Sequence, residues 1–260
     1  MLSMSQIEEQ YPAELRSFRR ALLREYLQYK ILEIIFASEY APKLSFLGGT
    51  ALRMLYDNTR FSEDLDFDNF NLQEGEFALL SEKVRVGLTA QGLGVEISLA
   101  GKEAFRCNVR FPDVLFSSGI SPHEDEKILV QIDSLSHGFQ YTPDRKILNK
   151  FDVFFEIFAT PADILLSQKM YAAINRKRAK GRDFFDIVFL LSFVMPNYEY
   201  LKLKIGVDTD TALRAKLLEA AAGIDFKELG KDVQNFLFHA ADIKKIELFP
   251  EFIAHARLTK

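Results

Sequence analysis

The residues with the clearest chemical meaning are two aspartates separated by one leucine, Asp64 and Asp66, in the run DLDF. In an extended strand alternate side chains share a face, so both aspartates point one way while Leu65 and Phe67 point into a core. Two carboxylates held side by side repel each other unless a cation lies between them. Hard oxygen ligands of this kind suit Mg²⁺, which completes its shell with water and substrate phosphate, so the pair predicts a metal site.

A glycine pair stands shortly before these aspartates. The apolar run Leu44 to Leu47 ends at Gly48 and Gly49, and a helix-like segment runs from Thr50 to Tyr56. Glycine allows the backbone to approach a ligand closely, and the N-terminus of a helix offers N–H groups to a phosphate. A phosphate-binding turn beside metal-binding carboxylates predicts phosphoryl or nucleotidyl transfer.

Plainer interpretations of the same stretch compete with this one. A glycine pair by itself usually marks a turn, and a run such as SEDLDFDN is commonly a solvated acidic loop. The run also begins like a calcium loop, but Asn69 stands where the sharp-turn glycine belongs and Gly75 where the bidentate glutamate belongs. Acidic loops do not usually alternate with leucine and phenylalanine, so the stretch as a whole favours a functional site.

The stretch LSFLGGTALRMLYDNTRFSEDLDF resembles the nucleotidyltransferase signature of the DNA polymerase β-like superfamily, and its extended form is similar to the AbiEii/AbiGii toxin family. The extended form is carried by Thr50, Ala51, Leu52, Arg60, Ser62 and Glu63. The resemblance implies an enzyme that uses a nucleoside triphosphate with one or two Mg²⁺ ions. It also implies a toxin of type IV toxin–antitoxin or abortive-infection systems, restrained by a separate antitoxin protein.

A third carboxylate is expected from the superfamily, on a neighbouring strand. Asp133 in KILVQIDSL is the best candidate, because Leu129, Gln131 and Asp133 share a face if that run is a strand. Glu96 in GVEISL is the second candidate. An ordinary role for Asp133, as a strand-end residue that hydrogen-bonds a turn, stays open.

A second informative stretch runs from residue 163 to residue 191. On a helix, Lys169 and Arg176 lie on one stripe, and Gly181 then precedes a helix that carries Asp183 and Asp186. The family resemblance implies a site role for Lys169 and Asp186, with the lysine holding phosphates. Asp183 has the alternative of capping its helix. The basic turn RKRAKGR is either a solvated surface or a contact for triphosphate or RNA.

Composition restricts the class of protein. The chain has 260 residues, 48% of them hydrophobic, and a net charge of −4. A substantial core is therefore expected, while broad charge-driven binding of nucleic acid is not. Cys107 is the only cysteine, which excludes an internal disulfide and a cysteine zinc site. We expect a cytoplasmic protein with no membrane partner, because no secretory signal or long apolar run is seen.

The pattern of elements predicts an α/β (α+β) fold, with a polymerase β-like mixed sheet and flanking helices followed by a C-terminal helical bundle. Residues 1–160 are the predicted nucleotidyltransferase-like domain and residues 161–260 the helical one. Strands are predicted at residues 95–99, 105–111, 127–135 and 152–158. One long helix is predicted over residues 12–39.

The function expected from these observations is transfer of a nucleoside monophosphate from a triphosphate to an acceptor such as RNA. The predicted catalytic and metal-binding residues are Asp64, Asp66 and Asp133. The predicted nucleotide-binding residues are Gly48, Gly49, Thr50 and Lys169. The predicted supporting residues are Arg60, Ser62, Arg176, Asp183 and Asp186. Two alternatives remain: a nucleotidyltransferase for a small molecule such as an antibiotic, and an inactive family member that acts as a binding partner.

Overall fold

The computed structural model describes residues 1–101 and 104–259, which contain helices and one mixed sheet. Residues 102, 103 and 260 lie outside the described part, so the predicted range 161–260 is followed here only to residue 259. The strands are β1 Leu44–Leu47, β2 Leu65–Asn69, β3 Glu96–Ala100, β4 Phe105–Phe111, β5 Ile128–Leu135, β6 Asp144–Lys150 and β7 Val153–Ala159. The predicted strands are present within one or two residues, whereas β6 was not predicted.

The order of the strands places β2 at the centre of the sheet. Among the described residues seven strands pair in the order β3-β4-β5-β2-β1-β7-β6. The pairs β2–β5 and β1–β7 are parallel, and the other neighbours are antiparallel. The predicted fold class, a mixed sheet with flanking helices followed by C-terminal helices, is confirmed. The aspartates of the signature therefore lie on or beside a central strand with a neighbour on each side.

The chain divides into two compact units. The first unit contains the sheet and consists of residues 1–56, 61–138 and 142–159. The second unit begins at Thr160 and continues to the C-terminus, and it also includes the short segments 57–60 and 139–141. The segment 57–60, which precedes the signature aspartates in sequence, is thus part of the helical unit.

Helices cover the sheet of the first unit. They are α1 Met4–Glu8, α2 Arg19–Phe36, α3 Gly48–Tyr56, α4 Glu74–Ala90 and α5 Val114–Ser117. The prediction of one helix over residues 12–39 is wrong at its start. Pro12 precedes a short 3₁₀ turn, and Phe18 has a ψ of 39°, which is not helical, so the long helix begins only at Arg19. The buried side of α2 includes Leu22, Leu27 and Ile31 and packs within the core of this unit.

The second unit is helical, as its apolar spacing predicts. Its helices are α6 Ala162–Asn175, α7 Gly181–Leu190, α8 Tyr198–Ile205, α9 Asp210–Ala221, α10 Phe226–Gln234, α11 Lys244–Glu247 and α12 Phe249–His255. Phe184, Phe226 and Phe249 form an aromatic cluster at its core, with the centroids of Phe184 and Phe249 4.7 Å apart. Among the described residues, no helix is both long enough and apolar enough to span a membrane.

Candidate active site

The two signature aspartates are presented by β2. Leu65 and Phe67 are fully buried, while Asp64 and Asp66 are half-buried. This alternation is the one that the sequence predicts. Asp64 itself directly precedes the strand instead of lying in it, because β2 begins at Leu65. The position of Asp64 therefore depends on the loop that leads into the strand as well as on the strand itself.

Gly48 lies against the Asp66 carboxylate. Antiparallel pairing places Leu47 opposite Asp66, and α3 begins at the next residue, Gly48. Gly48 has a φ of +81°, and a Cβ added there would lie 2.3 Å from Asp66 Oδ2. Only glycine fits both the backbone conformation and the space. The first N–H groups of α3, which lack partners within the helix, thus begin beside a signature carboxylate.

Asp133 is brought beside Asp66 by the parallel pairing of β2 and β5. Register places Asp66 directly opposite Asp133, and register partners on adjacent strands project to the same face of a sheet. Val130 and Ile132 are buried on the other face of β5. Glu96, the second candidate, lies on β3, which β4 and β5 separate from β2, and it pairs with Lys127. The structure places Asp133, and not Glu96, next to the signature.

Arg106 is a member of this cluster that sequence reasoning missed. It lies on β4 directly opposite Asp133 and binds it with two hydrogen bonds, from Nε to Oδ1 at 2.7 Å and from Nη2 to Oδ2 at 3.1 Å. The hydrogen bond and charge of Asp133, with smaller contributions from Asp64 and Asp66, raise the pKa of the Arg106 guanidinium. An arginine alternating with apolar residues in FRCNVRF is an ordinary strand pattern, and only the register reveals its partner.

Of the three predicted carboxylate ligands, Asp64 and Asp66 fit Mg²⁺ better than Asp133 does. In residues 1–101 and 104–259, no group of three or more histidine, cysteine, aspartate or glutamate side chains is arranged to hold a metal ion. Both oxygens of Asp133 accept hydrogen bonds from Arg106, and Oδ2 also accepts one from Gln131 Nε2 at 2.8 Å. Asp64 and Asp66 supply the one or two carboxylates that Mg²⁺ commonly takes from a protein, so they fit the ion. A contribution from Asp133 requires Arg106 and Gln131 to release it.

Thr50 contacts the signature loop with its side chain. It is 1% exposed, and its hydroxyl donates a hydrogen bond to the backbone carbonyl of Asp64. The side chain is therefore committed to the loop, and a contact of Thr50 with a nucleotide is left to its backbone N–H. Ser62, another predicted residue, has its carbonyl bound by Gln28.

Five other predicted residues form a charged cluster within the second unit. Arg60 donates from Nε and Nη2 to the two oxygens of Asp186, at 2.8 and 2.7 Å, in a fully buried pair. Lys169 Nζ lies 2.8 Å from Asp186 Oδ2 and 3.2 Å from Asp183 Oδ1, and Arg176 Nε lies 3.1 Å from Asp183 Oδ2. Three cations, Arg60, Lys169 and Arg176, thus pair with the two carboxylates Asp183 and Asp186.

Two expectations about this cluster are corrected. Arg176 does not continue the helical stripe of Lys169, because α6 ends at Asn175 and Arg176 has an extended backbone with a ψ of 133°. Asp183 does not cap α7, whose N-cap is Lys180. Instead Asp183 lies in the first turn of α7 and accepts the charges of Lys169 and Arg176. Burial opposes ionisation of Asp186, but the charges of Arg60 and Lys169 outweigh it and hold its pKa well below the usual value.

Comparison with known families matches almost the whole chain to one of them. The sequence model of one protein family, the nucleotidyl transferase AbiEii toxins of type IV toxin–antitoxin systems, matches residues 30–257. The chain belongs to this family. The match includes both the glycine turn with its aspartates and the cluster of Lys169 and Asp186, and it confirms the family that the signature indicated. No curated protein matches the chain.

Two solved structures resemble this AbiEii family chain. JHP933 from Helicobacter pylori is 19% identical, with a TM-score of 0.54 over 90% of this chain and 91% of that one. A candidate nucleotidyltransferase from H. pylori is also 19% identical, with a TM-score of 0.56 over 90% of this chain and 94% of that one. At this identity the likeness establishes the fold. Membership of the AbiEii family places the chain among nucleotidyl transferases whose systems pair a toxin with an antitoxin.

Proposed function

We propose that this AbiEii family protein is a metal-dependent nucleotidyltransferase that moves a nucleoside monophosphate from a nucleoside triphosphate to an acceptor, with RNA as the acceptor class. The observation that supports the proposal is that three features lie together at the N-terminal end of β2. Asp66 lies opposite Asp133, Asp64 directly precedes the strand, and Gly48 starts α3 against the Asp66 carboxylate. Carboxylates and a phosphate-binding helix start are the parts that this reaction needs.

Each group near β2 has a task in the proposed reaction. Asp64 and Asp66 would hold Mg²⁺, which would polarise the α-phosphate and stabilise the departing pyrophosphate. Gly48 and Gly49 allow the triphosphate to approach the first N–H groups of α3. The acceptor hydroxyl oxygen bonds to the α-phosphorus while the bond from that phosphorus to the bridging oxygen of the β-phosphate breaks. Asp133 helps to remove the proton of the hydroxyl once its carboxylate is free of Arg106.

The charged cluster of the second unit supplies the proposed phosphate contact. Lys169 is 13% exposed at its side chain and shares Asp183 and Asp186 with two arginines. A lysine ammonium acts as a point charge that can bind a phosphate oxygen. We assign the phosphate contact to Lys169 and positioning roles to Arg60, Asp183 and Asp186, which fix the lysine in place.

RNA is supported as the acceptor by the basic turn that follows α6. Arg176, Lys177, Arg178 and Arg182 have exposed side chains within seven residues of the sequence. Such a cluster attracts the phosphate backbone even though the net charge of the whole chain is −4. The type IV family also implies an antitoxin as a protein partner, which in this proposal restrains the transfer reaction in the cell.

The test is transfer of label to an acceptor. The protein is incubated with Mg²⁺, total cellular RNA and each α-labelled nucleoside triphosphate in turn, and the products are separated by size. Label in RNA that disappears in the Asp66→Asn variant supports the proposal. Label only in small molecules would replace RNA with a small-molecule acceptor, and absence of label with every triphosphate and acceptor would overturn enzymatic transfer.

A further inference from the structure

The loop that presents Asp64 is held by side chains from two helices. Residues 61–64 form a loop that leads into β2 and lie outside the strands and helices of the first unit. Gln28 Nε2 donates to the carbonyl of Ser62 at 3.1 Å and to that of Glu63 at 2.9 Å. The Thr50 hydroxyl donates to the carbonyl of Asp64. Three consecutive carbonyls, ending at the first signature aspartate, are thus bound by side chains.

Both donors are buried. Gln28 on α2 and Thr50 on α3 are each 1% exposed. Arg24, one helical turn before Gln28, forms an ion pair with the Glu63 side chain and holds the same loop from the same face of α2. Water has little access to these sites, so a hydrogen bond that is lost with its donor is not readily replaced by solvent.

We infer that Gln28 and Thr50 are positioning residues for Asp64, acting by fixing the peptide groups of residues 62–64. The inference rests on the proposed function, in which Asp64 and Asp66 hold the metal. β2 fixes Asp66 through its ladder, whereas Asp64 directly precedes the strand, and these two donors bind its own carbonyl and the two carbonyls before it. An amide and a hydroxyl donate to the carbonyls without adding a charge beside the two carboxylates. A lysine or arginine in the place of either donor would compete with the metal for the carboxylates.

Groups that orient a metal ligand typically contribute about 10- to 100-fold to metal affinity. We therefore expect Gln28→Met and Thr50→Val, which keep volume and remove the donors, to weaken binding of Mn²⁺ by roughly tenfold or more in the absence of nucleotide. Thr50→Ser restores the hydroxyl and is expected to restore the affinity. A change that only loosened the core would not be reversed by a smaller side chain.

The experiment is calorimetric titration of the full chain with Mn²⁺, together with urea unfolding of every variant. Gln168→Met is the matched control, because Gln168 is also a helical glutamine, is 9% exposed, and has an Nε2 that makes no hydrogen bond within the described residues. It is expected to keep the parental affinity within about twofold, since ordinary substitutions away from a ligand shell leave it intact. Asp66→Asn reports whether the metal site itself exists.

The outcomes separate the inference from the proposed function. Parental Mn²⁺ affinity in Gln28→Met and Thr50→Val, with loss of binding in Asp66→Asn, overturns the inference and leaves the function standing. Equal weakening in Gln168→Met, or no recovery in Thr50→Ser, also overturns it. If Gln28→Met does not fold, the comparison of Thr50→Val with Thr50→Ser decides. A parent chain that binds no Mn²⁺ overturns the proposed function and the inference together.

Discussion

Asp66 and Asp133 lie directly opposite each other on the neighbouring parallel strands β2 and β5, although 66 residues separate them in sequence. Their carboxylates share one face of the sheet, and like charges at such positions repel unless a cation compensates them. Arg106 provides that compensation from β4, with two hydrogen bonds to Asp133. The same arrangement sets up a competition, because a metal that uses Asp133 has to displace the guanidinium.

Removing the guanidinium tests this competition. We expect Arg106→Gln to tighten Mn²⁺ binding in the absence of nucleotide by several-fold, up to roughly tenfold, because a positive charge beside the carboxylates is lost. The free energy of unfolding should change by less than about 1 kcal/mol, since the Arg106 side chain is 44% exposed. Calorimetric titration and urea unfolding measure the two quantities.

Arg110→Gln is the control for that variant. Arg110 lies on the same side of β4 as Arg106 but four residues further along, opposite Leu129 instead of Asp133, and it donates to Ser98. Its substitution removes the same charge from the chain and is expected to leave Mn²⁺ affinity unchanged. Weaker binding in Arg106→Gln than in Arg110→Gln would mean that Arg106 supports the metal ligands and does not compete for them.

The features of this site that can be predicted from the sequence are those that depend on residues close together in the sequence. Alternation in DLDF predicts which side chains of β2 are buried. The glycine pair predicts a close backbone approach to a ligand, whereas the close approach seen in the structure is between Gly48 and the Asp66 side chain. Arg106 could not be predicted, because its partner is set by the register of β4 on β5, which depends on the packing of the whole sheet. The assignment of Asp133 to a neighbouring strand came from the family resemblance.

The start of α2 and the segment 57–60 show a second limit. Apolar spacing continues from Leu15 into α2, but the backbone at Phe18 leaves the helical region, and spacing carries no information about such a break. Arg60 belongs by its contacts to the helical unit, where it binds Asp186, 126 residues further along the chain. The sequence motif groups Arg60 with the signature aspartates that follow it, although its partner Asp186 is far away in the sequence.

Gly48→Ala is expected to abolish metal binding at a moderate cost in stability. The left-handed backbone costs a non-glycine residue about 1–2 kcal/mol, and the new Cβ would lie 2.3 Å from Asp66 Oδ2 and 3.0 Å from Asp66 Cβ. The Asp66 side chain therefore has to move. Gly92→Ala is a matched control, because Gly92 has the same φ of +81° and, apart from its chain neighbours, no heavy atom of the described residues lies within 4 Å of the added Cβ.

The two glycine variants are compared by urea unfolding and Mn²⁺ titration. Similar losses of stability, with metal binding lost only in Gly48→Ala, are the expected result. Retained binding in Gly48→Ala would show that Asp66 tolerates displacement and that the close approach has no role in holding the metal.

Asp186→Asn is expected to destabilise the protein strongly, because it removes the carboxylate charge from a fully buried ion pair with Arg60. Breaking a buried pair costs about 3–5 kcal/mol, whereas Asp208→Asn, which removes an exposed pair with Lys202, should cost less than about 1 kcal/mol. Urea unfolding at pH 7 measures both. Equal, small decreases in the free energy of unfolding of the two variants would mean that the Arg60–Asp186 pair does not stabilise the second unit.

The cost of Asp186→Asn should also depend on pH. The folded-state pKa of Asp186 is lowered, so its ionised form stabilises the protein fully above the ordinary aspartate pKa of about 3.9. As the pH falls below that value toward the folded-state pKa, the stabilisation is lost by up to about 1.4 kcal/mol per pH unit. The difference in unfolding free energy between parent and variant should therefore become smaller as the pH is lowered from about 5 to about 3, a range that includes the ordinary aspartate pKa. A constant difference would contradict the lowered pKa.

Asp66→Asn should abolish transfer while keeping the fold. Asparagine has nearly the same shape, so Leu65 and Phe67 still pack in the core, and the loss of a charge beside Asp64 and Asp133 relieves repulsion. Stability without metal should hold or rise slightly. The rate of transfer should fall by roughly 100-fold or more, since a missing carboxylate costs several kcal/mol of charge stabilisation at the metal. Activity with labelled triphosphate, Mn²⁺ titration and urea unfolding are measured on the same preparation. A folded Asp66→Asn protein that transferred nucleotide at the parental rate would contradict the proposed function. The reaction would then not occur at the N-terminal end of β2.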